Sequence, residues 1–479
     1  MNRVASGSPT KQFFVGMLTR DINLNDAILD LLDNCLDGVV REKQLNSTAH
    51  INDNYYEGYK AEITITSDSF LIRDNCGGIP LTVAENYAFR MGRTPENDVN
   101  EKLPTVGVYG IGMKRAIFKL GKSAVVKTKN DEEAYQVKIN ETWTTEEKWD
   151  FPIEEIDKNE LIENGTEILI NQLNDNILEG WKNTGQLSNF VDELTQAIKE
   201  SYSFIMRKGF TIILNGKKVD PIAFGFLVAE DIAKKESIKP YVFEKDYDGV
   251  LVKMIMGFYK PMQSIEDDEE VMEGKRTSAQ AGWTITCNDR VVLYNDKTHI
   301  TGWGESGVPS YHTQFIGICG VVMFESSDPS KLPMTTTKRG IDLSSAIYAD
   351  VKNKMREALK MFTQYTNKWK GRVKEERSLS SKTVEVPIAE ILENKKMYGI
   401  NTRRIEKRKE ESFKPDLPFP VIEKKIKYIR FSKPDEQINA LRNFFNIKET
   451  DETIITASDI GEKCFDTVYE EYLEGAKKK

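Results

Sequence analysis

The chain has 479 residues, a formal net charge of −8 and a hydrophobic share of 39%, with 30% charged residues. Single cores stop growing at roughly 250 to 300 residues, so this length predicts two or three domains. No apolar run approaches the roughly 20 residues of a membrane span, and the net charge excludes a wholly basic nucleic-acid binder.

Cysteine and histidine usage predicts a soluble, cytoplasmic protein without a zinc site. The first residues, MNRVASGSPTKQFF, contain no apolar segment of the kind that directs secretion. The three histidines are scattered, and no paired spacing relates the five cysteines, which are Cys35, Cys76, Cys287, Cys319 and Cys464. Such usage is typical of a reducing compartment.

The predicted elements of residues 1–207 alternate between helices and strands. Residues 24–40 place apolar side chains at helical spacing, and residues 61–75 alternate as a hairpin that stops at Gly-Gly-Ile-Pro. GVYGIGMKRAIFKLG predicts a glycine-rich loop that opens a helix ended by Gly121. Further strands are predicted at 124–129, 134–139 and 166–170, and a helix at 187–206. This order predicts an α+β fold with helices on one side of a sheet.

A second domain is predicted at residues 208–345 and a third region at 346–479. FTIILNGKKVDP opens the second domain as two strands around a turn, and the loop LPMTTTKRG ends it before a long helix. A charged helix and linker are predicted at 370–433, with a small helical cap at 434–470. Residues 395–433 are basic with interleaved aromatic side chains, which indicates either a solvated linker or a nucleic-acid contact. The acidic run at 264–274 predicts a solvated loop.

Polar side chains of the first long helix share one side. Asp30 and Asn34 lie four residues apart, and Asp37 follows on the next turn. An amide oxygen is a hard ligand that suits Mg²⁺, and a carboxylate one turn away can orient or deprotonate a water. Taken alone, a polar helix face in solvent is the simpler interpretation of this segment.

Two further segments combine glycines with charged residues. In IRDNCGGIP, Asp74 ends an apolar strand, where it could accept a hydrogen bond from the amine of a flat ligand; a tight turn is the alternative. In GVYGIGMK, backbone N–H groups, a helix N-terminus and a cation would hold phosphate oxygens at Gly107, Gly110, Gly112 and Lys114. The spacing is neither that of a Walker A loop nor that of a Rossmann fingerprint.

The order of these segments resembles the GHKL superfamily: gyrase B subunits, MutL, MORC proteins, heat-shock ninety chaperones and histidine kinases. DLLDN is followed by DNCGG, GVYGIGMK and GTEILI at the family's approximate spacing. The resemblance covers residues 20–170 strongly and continues less strongly to about 345. It implies an α+β protein with a Bergerat-type α/β sandwich at 1–207, a ribosomal-S5-like transducer domain at 208–345 and a helical, partner-binding C-terminal region at 346–479.

The resemblance also implies roles for individual residues at the adenine and metal positions. Asn34 would bind magnesium, and Asp74 would recognise the adenine amino group. Gly78 would line the adenine pocket, while Thr166 would support Asp74 from the neighbouring strand. Cys76 replaces the first glycine of the family's DxGxG pattern, which leaves the local backbone geometry open.

At the phosphate end, the resemblance implies a glycine loop, a base and a transducer lysine. The residues that would hold the phosphates, at the end of a mobile lid at about 86–106, are Gly107, Gly110, Gly112 and Lys114. Asp30 stands where hydrolytic members carry a Glu base, so its reach is shorter by about 1.5 Å. Lys338 resembles the transducer lysine that reaches the terminal phosphate, and a surface lysine in a turn is the alternative.

The implied function is an ATP- and Mg²⁺-dependent ATPase that dimerises on ATP and switches conformation to act on DNA or a protein partner. The layout is closest to MORC-like and heat-shock-ninety-like proteins, in a setting such as bacterial defence or DNA maintenance. A sensor kinase is disfavoured, because only about 25 residues precede the Asp30 helix. Two alternatives stay open: a nucleotide-gated adaptor without turnover, and a chaperone. No membrane attachment is expected.

Overall fold

The computed structural model describes residues 9–43, 54–92, 105–107, 110–262, 280–420, 429, 432–446 and 456–477. The predicted acidic loop at 264–274 and the central part of the predicted lid lie outside these residues. So do Tyr428 and Phe431 of the basic, aromatic stretch.

An eight-stranded sheet forms the base of the first domain. Its strands are β1 (Lys60–Ile65), β2 (Phe70–Asp74), β3 (Gly121–Lys129), β4 (Ala134–Ile139), β5 (Ile153–Glu155), β6 (Gly165–Leu173), β7 (Thr211–Leu214) and β8 (Lys217–Lys218). They lie in the order β5-β4-β3-β6-β2-β1-β7-β8, and the β1–β7 pair is parallel whereas the other pairs are antiparallel. Alternating burial along β1, β3 and β4 shows that one face packs against the core.

Helices cover that face and complete the first core. They are α1 (Lys11–Arg20), α2 (Leu24–Glu42), the one-turn α3 (Leu81–Val83), α4 (Gly112–Leu120), α5 (Asp175–Lys182) and α6 (Thr184–Arg207). The side chain of Asn23 caps α2 by accepting from the backbone of Asp26, and Gly121 follows the last residue of α4. α2 packs against α4 and α6, so most of it is buried, including Asp30, Asp33 and Asp37. This is the α+β arrangement that the sequence predicted.

A second sheet of seven strands follows, with a separate two-stranded ribbon. Its strands and those of the ribbon are β9 (Gly225–Ala229), β10 (Tyr241–Asp246), β11 (Leu251–Phe258), β12 (Gly282–Cys287), β13 (Arg290–Asp296), β14 (Ile318–Glu325), β15 (Thr383–Pro387), β16 (Arg403–Ile405) and β17 (Glu410–Phe413). The large sheet has the order β13-β12-β14-β11-β10-β17-β16, and β15 pairs with β9.

The long helix α7 (Ala346–Trp369) packs its apolar stripe into the core of this second sheet. The remaining helices are α8 (Val373–Ser380), α9 (Ile388–Glu393), α10 (Asp435–Phe444) and α11 (Ala457–Lys477). The stripe predicted from the sequence is therefore core packing, with Val351, Met355, Leu359 and Phe362 buried and Ile347 at its margin.

The structure differs from the predicted domain boundary at residue 208. β7 and β8 pair with the first sheet, and Val219 still belongs to the first core, whereas Phe224 lies in a core cluster of the second sheet. The turn residues Asn215 and Gly216 do form a hairpin, as predicted. A strand pattern does not reveal which sheet edge the strand joins, because β1 and β7 pair across about 150 residues of sequence.

The structure also corrects the description of residues 346–479 as helix and linker. β15 pairs with β9, while β16 and β17 extend the second sheet from β10. This region therefore contributes strands to the second domain. β16 and β17 are short and rich in charged residues, and β15 and β17 pair with strands far away in sequence, so local alternation gives little signal. The helices α10 and α11 lie where a helical cap was predicted.

Candidate functional site

Residues of both domains line one cavity at the junction of α2, the end of β2, the N-terminus of α4 and the loop before α7. The second domain contributes Thr336 and Lys338 to its wall. All ten residues singled out in the sequence line this cavity: Asp30, Asn34, Asp74, Gly78, Gly107, Gly110, Gly112, Lys114, Thr166 and Lys338. The fold therefore brings together residues as far apart in the chain as Asp30 and Lys338.

The carboxylate of Asp74 is fixed at the end of β2. Its Oδ1 accepts hydrogen bonds from the backbone N–H of Cys76 at 2.9 Å and of Thr166 at 3.2 Å. The thiol of Cys35 also hydrogen-bonds to this carboxyl, and burial raises the pKa of Asp74. Thr166 thus supports Asp74 through its main chain, and the Cys76 position keeps a tight turn without glycine.

The turn after Asp74 requires glycine because it lies against β3. Gly78 has a φ of +72°, and a Cβ there would lie 2.2 Å from the carbonyl oxygen of Lys129. Thr128 ties the turn to the sheet: its Oγ1 accepts from the N–H of Ile79 at 2.8 Å and donates to the carbonyl of Gly165 at 3.2 Å. The cavity wall at this end is therefore rigid backbone.

Asp37 anchors the start of the glycine loop. Its two carboxylate oxygens accept from the backbone N–H groups of Val106 at 2.7 Å and Gly107 at 2.9 Å. A Cβ on Gly107 would lie 2.5 Å from Oδ2 of Asp37, so a side chain here would displace the carboxylate that anchors the loop. Burial raises the pKa of Asp37.

The N-terminus of α4 opens on the cavity without a side-chain cap. Ile111 occupies the N-cap position and makes no capping hydrogen bond, so the helix start presents backbone N–H groups. The buried Lys114 donates to the carbonyl oxygen of Ala88 at 2.8 Å and to that of Gly110. Lys114 therefore links the glycine loop to the helical segment at residues 81–88, where the predicted lid begins.

Asp30 lies in a buried ion-pair cluster rather than facing solvent. Its Oδ2 accepts from both Nε and Nη2 of Arg115, and its Oδ1 lies 3.6 Å from Nζ of Lys338. Lys338 adopts a left-handed backbone with a φ of +56°, which is uncommon for a side chain with a Cβ. Such strain clusters at functional sites, and here it directs the ammonium of Lys338 towards α2.

Asp33 joins the two domains below the cavity. Its Oδ2 accepts from Nζ of Lys338 at 2.8 Å, and its Oδ1 accepts from Nε of Arg290 at 2.9 Å and from the hydroxyl of Tyr202 at 2.8 Å. Burial alone would raise the pKa of Asp33, but Lys338 and Arg290 lower it to about 2. A second interdomain ion pair joins Arg339 to Asp26.

Sequence reasoning did not assign roles to Asp33, Arg115, Thr128, Tyr202 or Arg290. Asp33 lies in the segment DLLDN beside Asn34, and Arg115 directly follows GVYGIGMK beside Lys114. Their positions in the sequence could therefore have indicated that they belong to the site. Arg290 had none, because its partner Asp33 lies 257 residues away.

Asn34 offers one amide to a ligand or a metal. Its Nδ2 is buried without a hydrogen-bond partner, and its side chain lines the cavity. No cluster of three or more His, Cys, Asp or Glu side chains that could hold a metal occurs in the described part of the chain. Mg²⁺ takes oxygen ligands and completes its shell with phosphate oxygens and waters, so the amide oxygen of Asn34, rather than its Nδ2, is the atom that could hold it.

Comparison with protein families identifies the class of the first domain. The family model described as "Histidine kinase-, DNA gyrase B-, and HSP90-like ATPase" matches residues 22–172. The chain therefore contains a GHKL-type ATPase domain, from just before α2 to the end of β6, which includes every predicted site residue except Lys338. A search of curated proteins finds no significant match. None of the helices within the described ranges is long and apolar enough to cross a membrane.

Proposed function

We propose that this protein binds ATP with Mg²⁺ in the cavity, hydrolyses it, and uses the cycle as a conformational switch. The observation that carries the proposal is that a GHKL-type ATPase domain and a lysine of the following domain line the same cavity. A nucleotide there would contact both domains, so binding and hydrolysis would alter how they meet.

Asp74 and Gly78 form the adenine end of the proposed site. A carboxylate held by two backbone N–H groups is oriented to accept a hydrogen bond from an exocyclic amine. The glycine turn packs directly against the backbone of β3, which fixes the cavity wall beside the proposed position of the base. Thr128 keeps this end in place, and Thr166, which supports Asp74, also lines the cavity beside the proposed position of the base.

The glycine loop and the start of α4 form the phosphate end. The uncapped helix N-terminus provides backbone N–H groups and a favourable dipole for phosphate oxygens at Gly110 and Gly112. Asn34 would hold Mg²⁺, which when bound neutralises phosphate charge and orients the terminal phosphate. Lys114 would turn from the carbonyl oxygens of Ala88 and Gly110 towards the phosphates as the lid closes.

Asp30 is the proposed general base and Lys338 the proposed transition-state cation. In the present arrangement Asp30 is paired with Arg115 and faces Lys338, so both cations compete with a water for its carboxylate until Lys338 moves to the phosphate. The second domain would then act as the transducer, since the loop that carries Lys338 leads directly into α7.

A nucleotide-gated adaptor without turnover is the second candidate function. The specific observation in its favour is the Asp30–Arg115 pair, in which two N–H groups of the guanidinium occupy one carboxylate oxygen. A carboxylate oxygen held this way is occupied by the guanidinium rather than open to a water, and Asp is also one methylene shorter than the Glu of hydrolytic members of the family it resembles.

Steady-state phosphate release from ATP by the purified full chain tests the proposal, with Mg²⁺ omitted as the matched control. Mg²⁺-dependent release supports the ATPase. ATP binding by calorimetry without release favours the adaptor, and absence of binding overturns both functions.

The proposed switch includes an ATP-dependent homodimer and a partner of the C-terminal region. α1 exposes Phe13 and Met17 and packs against α4, so a second copy docking there would sense the phosphate end. Light scattering with and without ATP measures dimerisation. The C-terminal α11 exposes Phe465, Tyr469 and Tyr472, which favours a protein partner, whereas the basic residues around β16 would favour DNA.

A further inference from the structure

Asp33 on α2 is not the only contact between the two domains. The turn between β12 and β13 holds the second domain against the first at two further places. Asn288 and Asp289 have φ values of 46° and 64°, as a two-residue hairpin turn requires. Asp289 accepts from Nζ of Lys208, just after α6, at 2.8 and 2.7 Å. Nδ2 of Asn288 donates to the carbonyl oxygen of Thr105, which precedes the glycine loop, at 3.4 Å.

Arg290, the next residue after this turn, makes a buried contact between the two domains. Its side chain is 2% exposed, and its guanidinium lies 4.4 Å from the centre of the Tyr202 ring. Its Nη1 donates to the carbonyl oxygen of Val291 at 2.7 Å, and its Nε donates to Asp33. An always-charged group held by the Tyr202 ring and by three hydrogen bonds, to Asp33, Ser201 and Val291, cannot leave Asp33 without opening the domain junction.

Asp33 therefore carries one fixed cation and one cation on a cavity-lining loop. Arg290 occupies Oδ1, whereas Lys338 occupies Oδ2 and also lies near Asp30. A carboxylate whose charge is already offset by Arg290 attracts Lys338 less strongly than a carboxylate paired with Lys338 alone. The charge that Arg290 offsets on Asp33 therefore determines how strongly Asp33 holds the ammonium of Lys338.

Resting on the proposed ATPase function, we propose that Arg290 is a positioning residue for turnover. By holding Asp33 and offsetting its charge, it sets how readily Lys338 moves from Asp33 to the terminal phosphate. Arg290 does not line the cavity, and its hydrogen-bonded carboxylate is Asp33, so the contact route from Arg290 to the reaction runs through Asp33 and Lys338.

The test compares kcat and KM for ATP in the full chain with Arg290→Gln and Arg290→Lys, each alone and combined with Lys338→Ala. We expect Arg290→Gln to lower kcat about tenfold while KM changes less than about threefold. Arg290→Lys keeps the charge, so it restores most of kcat. In the Lys338→Ala background, Arg290→Gln has no further effect, because the two residues act in series.

Lys208→Gln is the matched control, since it breaks an ion pair of the same turn without touching Asp33. An equal loss of kcat in Lys208→Gln, or a full tenfold loss in the Lys338→Ala background, would mean that Arg290 only joins the domains and would overturn the inference. Unchanged kcat in Arg290→Gln would overturn it too. If Arg290→Gln does not fold, Arg290→Lys with and without Lys338→Ala gives the same comparison at smaller amplitude. No turnover in wild type would overturn the proposed function itself, and this inference with it.

Discussion

Nζ of Lys338 lies 2.8 Å from Oδ2 of Asp33, although 305 positions separate the two residues in the chain. The same ammonium lies 3.6 Å from Oδ1 of Asp30, one turn earlier on α2. Lys338 is thus held by two carboxylates of the helix that also carries Asn34. A nucleotide in the cavity would compete with those carboxylates for the ammonium. Nucleotide binding would therefore change a contact that joins the two domains.

Lys338→Ala should lower steady-state phosphate release by about 10- to 100-fold and leave ATP affinity within about threefold of wild type. A cation that arrives on closure stabilises the transition state more than the ground state. Asp33 keeps Arg290 and Tyr202 as partners, so the fold should survive. Lys331→Ala, at a more exposed lysine of the same domain, serves as the control. Equal loss of binding and turnover would reassign Lys338 to simple phosphate binding.

Asp74→Asn should weaken ATP binding by about 10- to 100-fold, because one charge-assisted hydrogen bond contributes roughly 1.5 to 3 kcal/mol. The amide would present either a weaker acceptor or an NH₂ group to the adenine amine. Titration calorimetry measures the affinity, and Asp68→Asn at the exposed turn of the same hairpin is the matched control. Unchanged affinity in Asp74→Asn would remove this residue from the nucleotide pocket.

Asp30→Asn should reduce turnover by about 10²-fold, the usual scale for a lost general base, while ATP affinity stays within a few-fold. The ATP-bound state should then accumulate, and light scattering should detect a lasting ATP-dependent dimer. Melting temperature is measured in parallel, because the variant also loses its ion pair with Arg115. Asp192→Asn, an exposed carboxyl on α6, provides the control. Equal turnover in Asp30→Asn and wild type would exclude Asp30 as the base.

The ionised Asp33 should make the free energy of unfolding decrease as the pH is lowered. Its pKa falls from 3.8 to about 2 on folding, so the ionised carboxylate stabilises the protein above pH 3.8. That contribution is lost as the pH falls towards 2. The difference in unfolding free energy between wild type and Asp33→Asn should therefore shrink by about 2 kcal/mol, with about half of this lost by pH 3. Denaturant titrations between pH 7 and 3 measure the difference, and a constant gap would contradict the assignment.

DNA binding, if the C-terminal region provides it, should weaken steeply with salt through counterion release. Deletion from residue 395 would remove β16 and β17 from the second sheet, so substitution is the cleaner test. Replacing the exposed basic residues Arg403, Arg404, Lys407 and Arg408 by Glu should abolish binding and spare ATP affinity. Lys217→Glu with Lys218→Glu, on the edge strand β8, is the control. Salt-insensitive binding, or equal loss in the control, would exclude this surface.

The sequence by itself determined the elements around the cavity. The helical spacing of α2, the β1–β2 hairpin and the glycine loop before α4 are local patterns, and local patterns follow from backbone geometry. Their order was sufficient to indicate the GHKL class, which the family match at residues 22–172 supports. For the same reason, ten of the residues that line the cavity could be chosen before the fold was known.

Only the tertiary structure decided how the domains meet and what Asp30 and Asp33 contact. The sequence indicated an acidic helix face, but the fold buries those carboxylates between Arg115, Lys338 and Arg290. The strands β16 and β17 likewise became recognisable only by their pairing with β10. In each case the partners are distant in the chain. A buried charge or an edge strand selects its partner by position in space, which no local periodicity records.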